Sequence, residues 1–298
     1  FQGNGHSIKG LKMNNKNKAG YKGAGLFCSL KDATVDNLVI DSSCSFIGYF
    51  AGALSVSLGG SLTVKHITSN AAVNGYWGVG GFIGSVVGWE QGTVISFEDC
   101  VNNGNVTVNG YDVGGLVGII HDSIDVAITV TNVINNGNVT GSGQSIGGFV
   151  GAIYRNKRVA MNISNSTNSG NVNGKSATGG FVGNIGGNTN INASILNSIN
   201  NGNITGSDCV GGFVGYSGSQ LMTLDIMNSA NKGSVSAKQG RGCGLVYVVP
   251  YVKTRIKNSI NKGSVNAKLY GYGITNNITE ARNVVSMGDV TGPSGSFT

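Results

Sequence analysis

The sequence predicts an all-β fold, a parallel β-helix or solenoid of about nine coils of roughly 32 residues each. Three observations predict it. A box of the form Gly-Gly-apolar-apolar-Gly recurs at near-constant spacing. A second box, rich in asparagine, recurs in phase with the first. Between the boxes the chain alternates apolar and polar residues with period two, which is the period of a strand and not of a helix.

The first box reads GGFIG at 80–84, GGLVG at 114–118, and GGFVG at 147–151, 179–183 and 211–215. These copies start 34, 33, 32 and 32 residues apart. Degenerate copies are assigned at 48–52 (GYFAG) and 243–247 (CGLVY), with AGLFC at 24–28 as the first and YGITN at 272–276 as the last. The second box is Asn-x-x-Asn-x-Gly-Asn-Val. It starts at Asn132, Asn165, Asn197, Asn228 and Asn258, with a near copy from Asp99 and a decayed one near Val290. A variable loop and an alternating stretch, such as VAITVTN or INASILN, lie between the boxes. Each repeat thus offers three short strands: the glycine box, the alternating stretch and the GNV segment.

One coil cannot bury its own apolar residues, so neighbours must stack. Two expected core columns are Phe82, Leu116, Phe149, Phe181, Phe213, Leu245 and Val106, Val139, Val172, Ile204, Val235, Val265, Val290. With strands about 4.8 Å apart, the rod is on the order of 40 Å long. Asn135, Asn168, Asn200, Asn231 and Asn261 fall in register, as do Asn132, Asn165, Asn197, Asn228 and Asn258. Stacked amides can donate to one neighbour and accept from the other, and asparagine tolerates the left-handed backbone of a corner. The chain reads as one solenoid over 1–298, with lead-in coils at 1–47, regular repeats at 48–276 and a decayed last coil at 277–298. It opens in mid-motif, as an excerpt of a longer chain would.

Composition agrees. Gly accounts for 51 of 298 residues and Asn for 37, whereas Pro accounts for 2. That excludes collagen and suggests many turns with positive φ. No run of 18 apolar residues exists, so no membrane-spanning helix is expected. Five cysteines without CxxC spacing make neither a disulfide framework nor a zinc site. Cys209 and Cys243 lie 34 residues apart, two out of phase with a 32-residue coil, and no bridge between them is expected.

The two phased boxes resemble the GLUG-motif repeats. The opening FQGNGHSIKGL, with AGLFCSL and NLVID after it, resembles the coil that precedes such repeats. The resemblance covers nearly the whole chain. It implies a repeat region of a large secreted or cell-surface, adhesin-like protein, with an extracellular or cell-surface location. It supplies no catalytic residues. Cys28, Tyr49 and Tyr247 stand where the pattern has glycine.

Three functions compete. One is a non-catalytic structural and adhesive region, the second a carbohydrate-active β-helix enzyme, the third a protomer of an extracellular filament. An enzyme of the second kind needs clustered carboxylates. The chain has 13 acids, and the best local groups are His121 with Asp122 and Asp125, and Glu90 beside Trp89. No phosphate loop, HExxH or calcium-repeat spacing occurs, so no cofactor or metal is expected. Nine of 13 acids lie between Asp32 and Asp125, and nine of 20 bases between Lys232 and Arg282. The bases lack interleaved aromatics, which argues against nucleic acid. Sequons at Asn105, Asn138, Asn162, Asn165, Asn192, Asn203 and Asn277 arise from the repeat itself.

The segment after each glycine box differs most from coil to coil, and binding faces of solenoids concentrate in such segments. It places Trp89, Glu90, His121, Asp122, Tyr154, Arg155, Lys157, Arg158 and Tyr216 on one stripe. Aromatics beside charges suit contact with surface glycans, other proteins or copies of the same chain better than catalysis.

Overall fold

The structure is a computed structural model that describes residues 1–15, 22–87 and 91–292. It is a parallel β-solenoid of about eight turns, with incomplete coils at the two ends. No helix occurs among the described residues. The strands form two sheets, one of 19 and one of 16 strands. A representative coil places Val139–Gly141 and Gln144–Gly147 in the smaller sheet and Val150–Tyr154, Lys157–Ser164 and Thr167–Asn168 in the larger.

Each strand pairs in parallel with its counterpart one coil on. The valine column holds: Val106 faces Val139, then Val172, Ile204, Val235, Val265 and Val290. Backwards it continues through Val73 and Phe46 to Met13. The coil shortens toward the C-terminus, from 33 residues (Val139 to Val172) to 30 (Val235 to Val265) and 25 (Val265 to Val290). The aromatic column is fully buried from Phe82 to Leu245. Ring centroids of Phe149 and Phe181 are 4.8 Å apart, those of Phe181 and Phe213 5.3 Å.

Three sequence expectations need correction. The glycine box is not a strand but a corner: Gly147 ends a strand of the smaller sheet and Val150 begins one of the larger. The second copy of the box is not at 48–52, because Gly52 pairs with Gly80 and Ser55 with Ile83. Gly52, Ala53, Leu54, Ser55 and Val56 therefore fill the box. Two of the variable segments are not loops, since Val182–Leu196 and Val214–Met227 run through them as continuous strands; at Asp122–Ser123 and Arg155–Asn156 only two residues separate the strands, and 88–90 lie outside the described residues.

The many positive-φ turns that the composition suggests are present, at Asn132, Asn165, Asn197, Asn228 and Asn258 and at many other positions, but at none of the box glycines. The box glycines are required for space. A Cβ on Gly148 would lie 2.1 Å from the carbonyl oxygen of Gly180, and one on Gly170 2.0 Å from that of Gly137.

The asparagine column is an amide ladder. Asn102 Nδ2 donates to Asn135 Oδ1 at 2.8 Å, and the pattern repeats through Asn168, Asn200, Asn231 and Asn261 at 2.7–2.8 Å. Each side chain's other N–H donates to the glycine carbonyl two residues on, as from Asn168 to Gly170 at 2.9 Å. All six asparagines are fully buried, so each amide has its donors satisfied inside the rod. A parallel ladder on the outside runs the opposite way, from Asn283 to Asn258, Asn228, Asn197 and Asn165 at 2.9–3.2 Å. Cys243 pairs with Gly211, which confirms the two-residue offset from Cys209; both thiols are free.

Two substitutions test this core. Phe181→Ala should cost about 3–5 kcal/mol in denaturant unfolding, the range for a buried ring that leaves a cavity. Asn168→Ala strips the acceptor from Asn135 and the donor from Asn200. It should cost roughly 2–4 kcal/mol, as two buried polar groups lose partners at about 1–3 kcal/mol each. A loss below about 1 kcal/mol for either would contradict the packing described.

Candidate binding surface

The predicted stripe lies along the larger sheet, just past the glycine corner. His121 pairs with Tyr154 and Tyr154 with Gly186. The next residues, Asp122, Arg155 and Gly187, have φ of 52°, 60° and 67°. Here the strand bends. After the bend comes a buried polar residue, Ser123, Asn156 or Asn188. Asn156 Oδ1 accepts from the Ser123 N–H at 3.0 Å, and Asn188 Oδ1 from the Asn156 N–H at 2.8 Å. Asn156 Nδ2 also donates to the Ile120 carbonyl at 3.0 Å. A second bend follows at Asp125, Arg158, Asn190 and Leu221, with φ of 57°, 56°, 61° and 53°. The buried asparagine thus anchors the backbone between two bends. Tyr154, Arg155, Lys157 and Arg158 point outward on either side of Asn156.

Asp122, Arg155 and Arg158 of the stripe are paired. His121 Nδ1 lies 2.8 Å from Asp122 Oδ2, and Arg155 Nε lies 3.1 Å from Asp122 Oδ1. Arg158 grips Asp125 with two N–H groups, one of them Nη2 at 2.8 Å from Oδ2. Gln91 donates to the same carboxylate. These bonds to Arg158 and Gln91 hold the Asp125 carboxyl down at about 2. Such an exposed pair fixes geometry more than it stabilises.

Tyr154 is 43% exposed. Its ring lies against Gly187 of the next coil, where a Cβ would come within 2.7 Å of Cε2. Tyr216 occupies a different column, in register with Asn184 and Ala152. It stacks on Tyr247 at 6.2 Å, and the Arg241 guanidinium sits 4.7 Å above the Tyr247 ring. Trp89 and Glu90 lie outside the described residues.

The structure adds residues that the sequence reading missed. Tyr49, Phe50, Tyr76, Trp77 and Tyr111 gather ahead of the glycine corner. Trp77 reaches His121, ring centroids 6.0 Å apart, and so joins this group to the stripe. Trp77 Nε1 donates to Asp112 Oδ2 at 2.6 Å. Burial pushes the Asp112 carboxyl up, against the opposing bond from Trp77. The signal in the sequence is an aromatic before the corner in successive repeats, at 49–50, 76–77 and 111.

Ser85, His121 and Asp122 form a hydrogen-bonded chain, with Ser85 Oγ 3.3 Å from His121 Nε2. Ser85 is 4% exposed, so its hydroxyl has little access to a substrate. Asp122 and Asp125 are each committed to an arginine, which is unlike the paired acid and base of a glycosidase. Among the described residues no group of three or more His, Cys, Asp and Glu could hold a metal ion, and no helix is long and apolar enough to cross a membrane. The basic C-terminal coils are partly neutralised, since Arg241, Arg255 and Lys257 pair with Asp208, Asp225 and Glu280. Compared with known proteins, the chain matches no family model, no curated protein and no solved structure.

Arg158→Ala should return Asp125 from about 2 toward the ordinary carboxylate range. A carboxyl lowered by folding contributes stability above its unfolded pKa and loses it as pH falls through the folded value. The variant should therefore lose stability relative to the parent at neutral pH, and the difference should vanish in strong acid. A carbonyl-carbon NMR titration reads the change; an Asp125 that still titrates near its original value would contradict the pairing.

Proposed function

We propose that this chain is a non-catalytic, structural and adhesive rod of a large extracellular or cell-surface protein, and that it meets surface glycans or other proteins through the stripe. One observation carries the reading. Tyr154, Arg155, Lys157 and Arg158 stand on backbone fixed by a buried asparagine and by pairing to both neighbouring coils. A surface held this way loses little conformational entropy on binding. Its chemistry, one ring face with arginine and lysine N–H groups beside it, suits hydroxyl-rich or acidic partners. Asp122 and Asp125 are tied in ion pairs and Ser85 is buried, which supports contact over turnover. The resemblance to GLUG-motif repeats points the same way.

The test is a Tyr154→Ala/Arg155→Ala/Lys157→Ala variant, compared with the parent for binding to a glycan panel and to intact cells. Binding should fall at least about ten-fold, the loss of roughly 1.4 kcal/mol, with an unchanged melting temperature. Parent-level binding by the variant would move the contact surface elsewhere. Release of new reducing ends from any glycan by the parent would replace the adhesive reading with an enzymatic one.

A further inference from the structure

Four lysines near the C-terminal end of the rod stand in register with no counter-charge. The segments 232–238 and 262–268 read KGSVSAK and KGSVNAK. Val235 pairs with Val265 and Ala237 with Ala267. The Lys232 N–H donates to the Asn200 carbonyl and the Lys262 N–H to the Asn231 carbonyl, each at 2.7 Å, so these two lysines are counterparts one coil apart. Lys238 and Lys268 are related in the same way, through the carbonyls of Gly206 and Ala237. Glycine, valine and alanine alternate inward along both segments and are buried. The outward positions are therefore Lys232, Ser234, Ser236 and Lys238 on one coil, and Lys262, Ser264, Asn266 and Lys268 on the next. All four lysines are exposed. Within a pair the backbones are about 4.8 Å apart, and the two pairs stand at most roughly 20 Å apart along the strand.

Other cations of these coils are neutralised: Arg241, Arg255 and Lys257 pair with Asp208, Asp225 and Glu280. Among the described residues, none of the four lysines has a carboxylate at ion-pair distance. Asp289 lies at the edge of the face, beside Val290 in the coil after Ser264. Lysines held opposite each other on neighbouring strands repel, and an anion between them relieves that repulsion. The strip between the pairs is polar and uncharged. The Ser234 hydroxyl donates to Asn203 Oδ1 at 2.9 Å and keeps its acceptor capacity. The side chains of Ser236, Ser264 and Asn266 make no hydrogen bond within the chain among the described residues. No aromatic or apolar side chain points outward along this strip, which disfavours stacking of nucleobases and insertion into a bilayer. A partner that carries both anionic groups and hydroxyls fits it.

We propose that this face binds a sulfated polysaccharide. Sulfate groups sit between Lys232 and Lys262 at one end and between Lys238 and Lys268 at the other, and sugar hydroxyls meet Ser236, Ser264 and Asn266. The face belongs to the smaller sheet and the stripe to the larger, so it is a second contact surface that does not depend on the first. Lysine suits the role, since its ammonium is a compact charge on a flexible stem and follows a sulfate without fixed geometry. A chain that reaches both pairs gains from holding them at once, because engagement of one raises the effective concentration at the other.

Fluorescence anisotropy of a labelled heparin octasaccharide, titrated with the intact chain at physiological ionic strength, tests it. Binding should saturate and should weaken as salt is added. The Lys232→Gln/Lys262→Gln and Lys238→Gln/Lys268→Gln variants should each bind about ten-fold more weakly, as should the parent with a fully desulfated octasaccharide. Neither variant should melt below the parent, because each removes a repulsion. Lys9→Gln/Lys12→Gln, which takes the same charge from the other end of the rod, should stay within about two-fold of the parent. An equal loss in that control would overturn the proposal in favour of net charge alone. So would absence of heparin binding, or desulfated binding as tight as sulfated. Tighter binding of duplex DNA or of phosphatidylserine vesicles than of heparin would show that the occupant is wrong. The stripe variant separates the two surfaces. If it abolishes heparin binding while both lysine variants keep it, this face fails and the stripe stands; the reverse result supports the face.

Discussion

A carboxamide pressed against a glycine organises this rod. In each regular coil the buried asparagine of the second box lies across the interior from the second glycine of the first box. A Cβ on that glycine would meet the amide at 2.6–2.9 Å, at Gly81 with Asn102, Gly115 with Asn135, Gly148 with Asn168, and on to Gly244 with Asn261. The same Cβ would strike the glycine carbonyl of the next coil at 1.9–2.2 Å. One hydrogen atom in place of a methyl group thus permits two contacts: coil on coil, and amide within coil. The amide then spends its two donors on the next asparagine and on its own turn, which leaves no buried N–H unsatisfied. The aromatic and valine columns fill the space that this frame encloses.

The surface follows from the frame. Parallel pairing to both neighbours lets the strands hold left-handed residues that would be costly in isolation, at about 1–3 kcal/mol each. Arg155, Arg158 and Leu221 are among them. Bends at these positions expose pairs of side chains on each side of one buried polar residue, which is how a continuous strand presents Tyr154 and Lys157 together. The glycines serve the surface as well, since rings such as Tyr111 and Tyr154 lie flat only where the next coil has no side chain.

Much of this was legible in the sequence because a repeat multiplies every signal. The period fixes coil length, the alternation fixes strand, and the in-register asparagines and phenylalanines point to the ladders that form. What escaped notice depends on contacts across a coil. The second copy of the box starts four residues after GYFAG does, although GYFAG looks more like the consensus than GALSV; hydrogen-bond register, not composition, decides it. Tyr154, Arg155, Lys157 and Arg158 share an outward side while Tyr216 lies in another column, and the bends beside them leave no glycine or proline signature when asparagine, aspartate or arginine adopts a positive φ. The aromatic group of Tyr49, Phe50, Tyr76, Trp77 and Tyr111 is not legible as a group, because its members precede the corner in three different coils.

One irregularity offers the sharpest test of the frame. Ala53 stands in register with Gly81, and there the asparagine column holds Ser69, which pairs with Asn102. Asn102 Oδ1 and Ser69 Oγ have no hydrogen-bond partner among the described residues. A methyl group at 53 leaves room for a hydroxymethyl at 69 but not for a carboxamide. The measurement is a double-mutant cycle of Ala53→Gly and Ser69→Asn by denaturant unfolding. Ser69→Asn alone should destabilise. In the Ala53→Gly background it should stabilise, as the new amide reaches Asn102 Oδ1 and extends the ladder by one rung, with a favourable coupling of about 1–3 kcal/mol. Additive effects, with coupling within about 0.3 kcal/mol of zero, would contradict the claim that glycine and asparagine act as one unit.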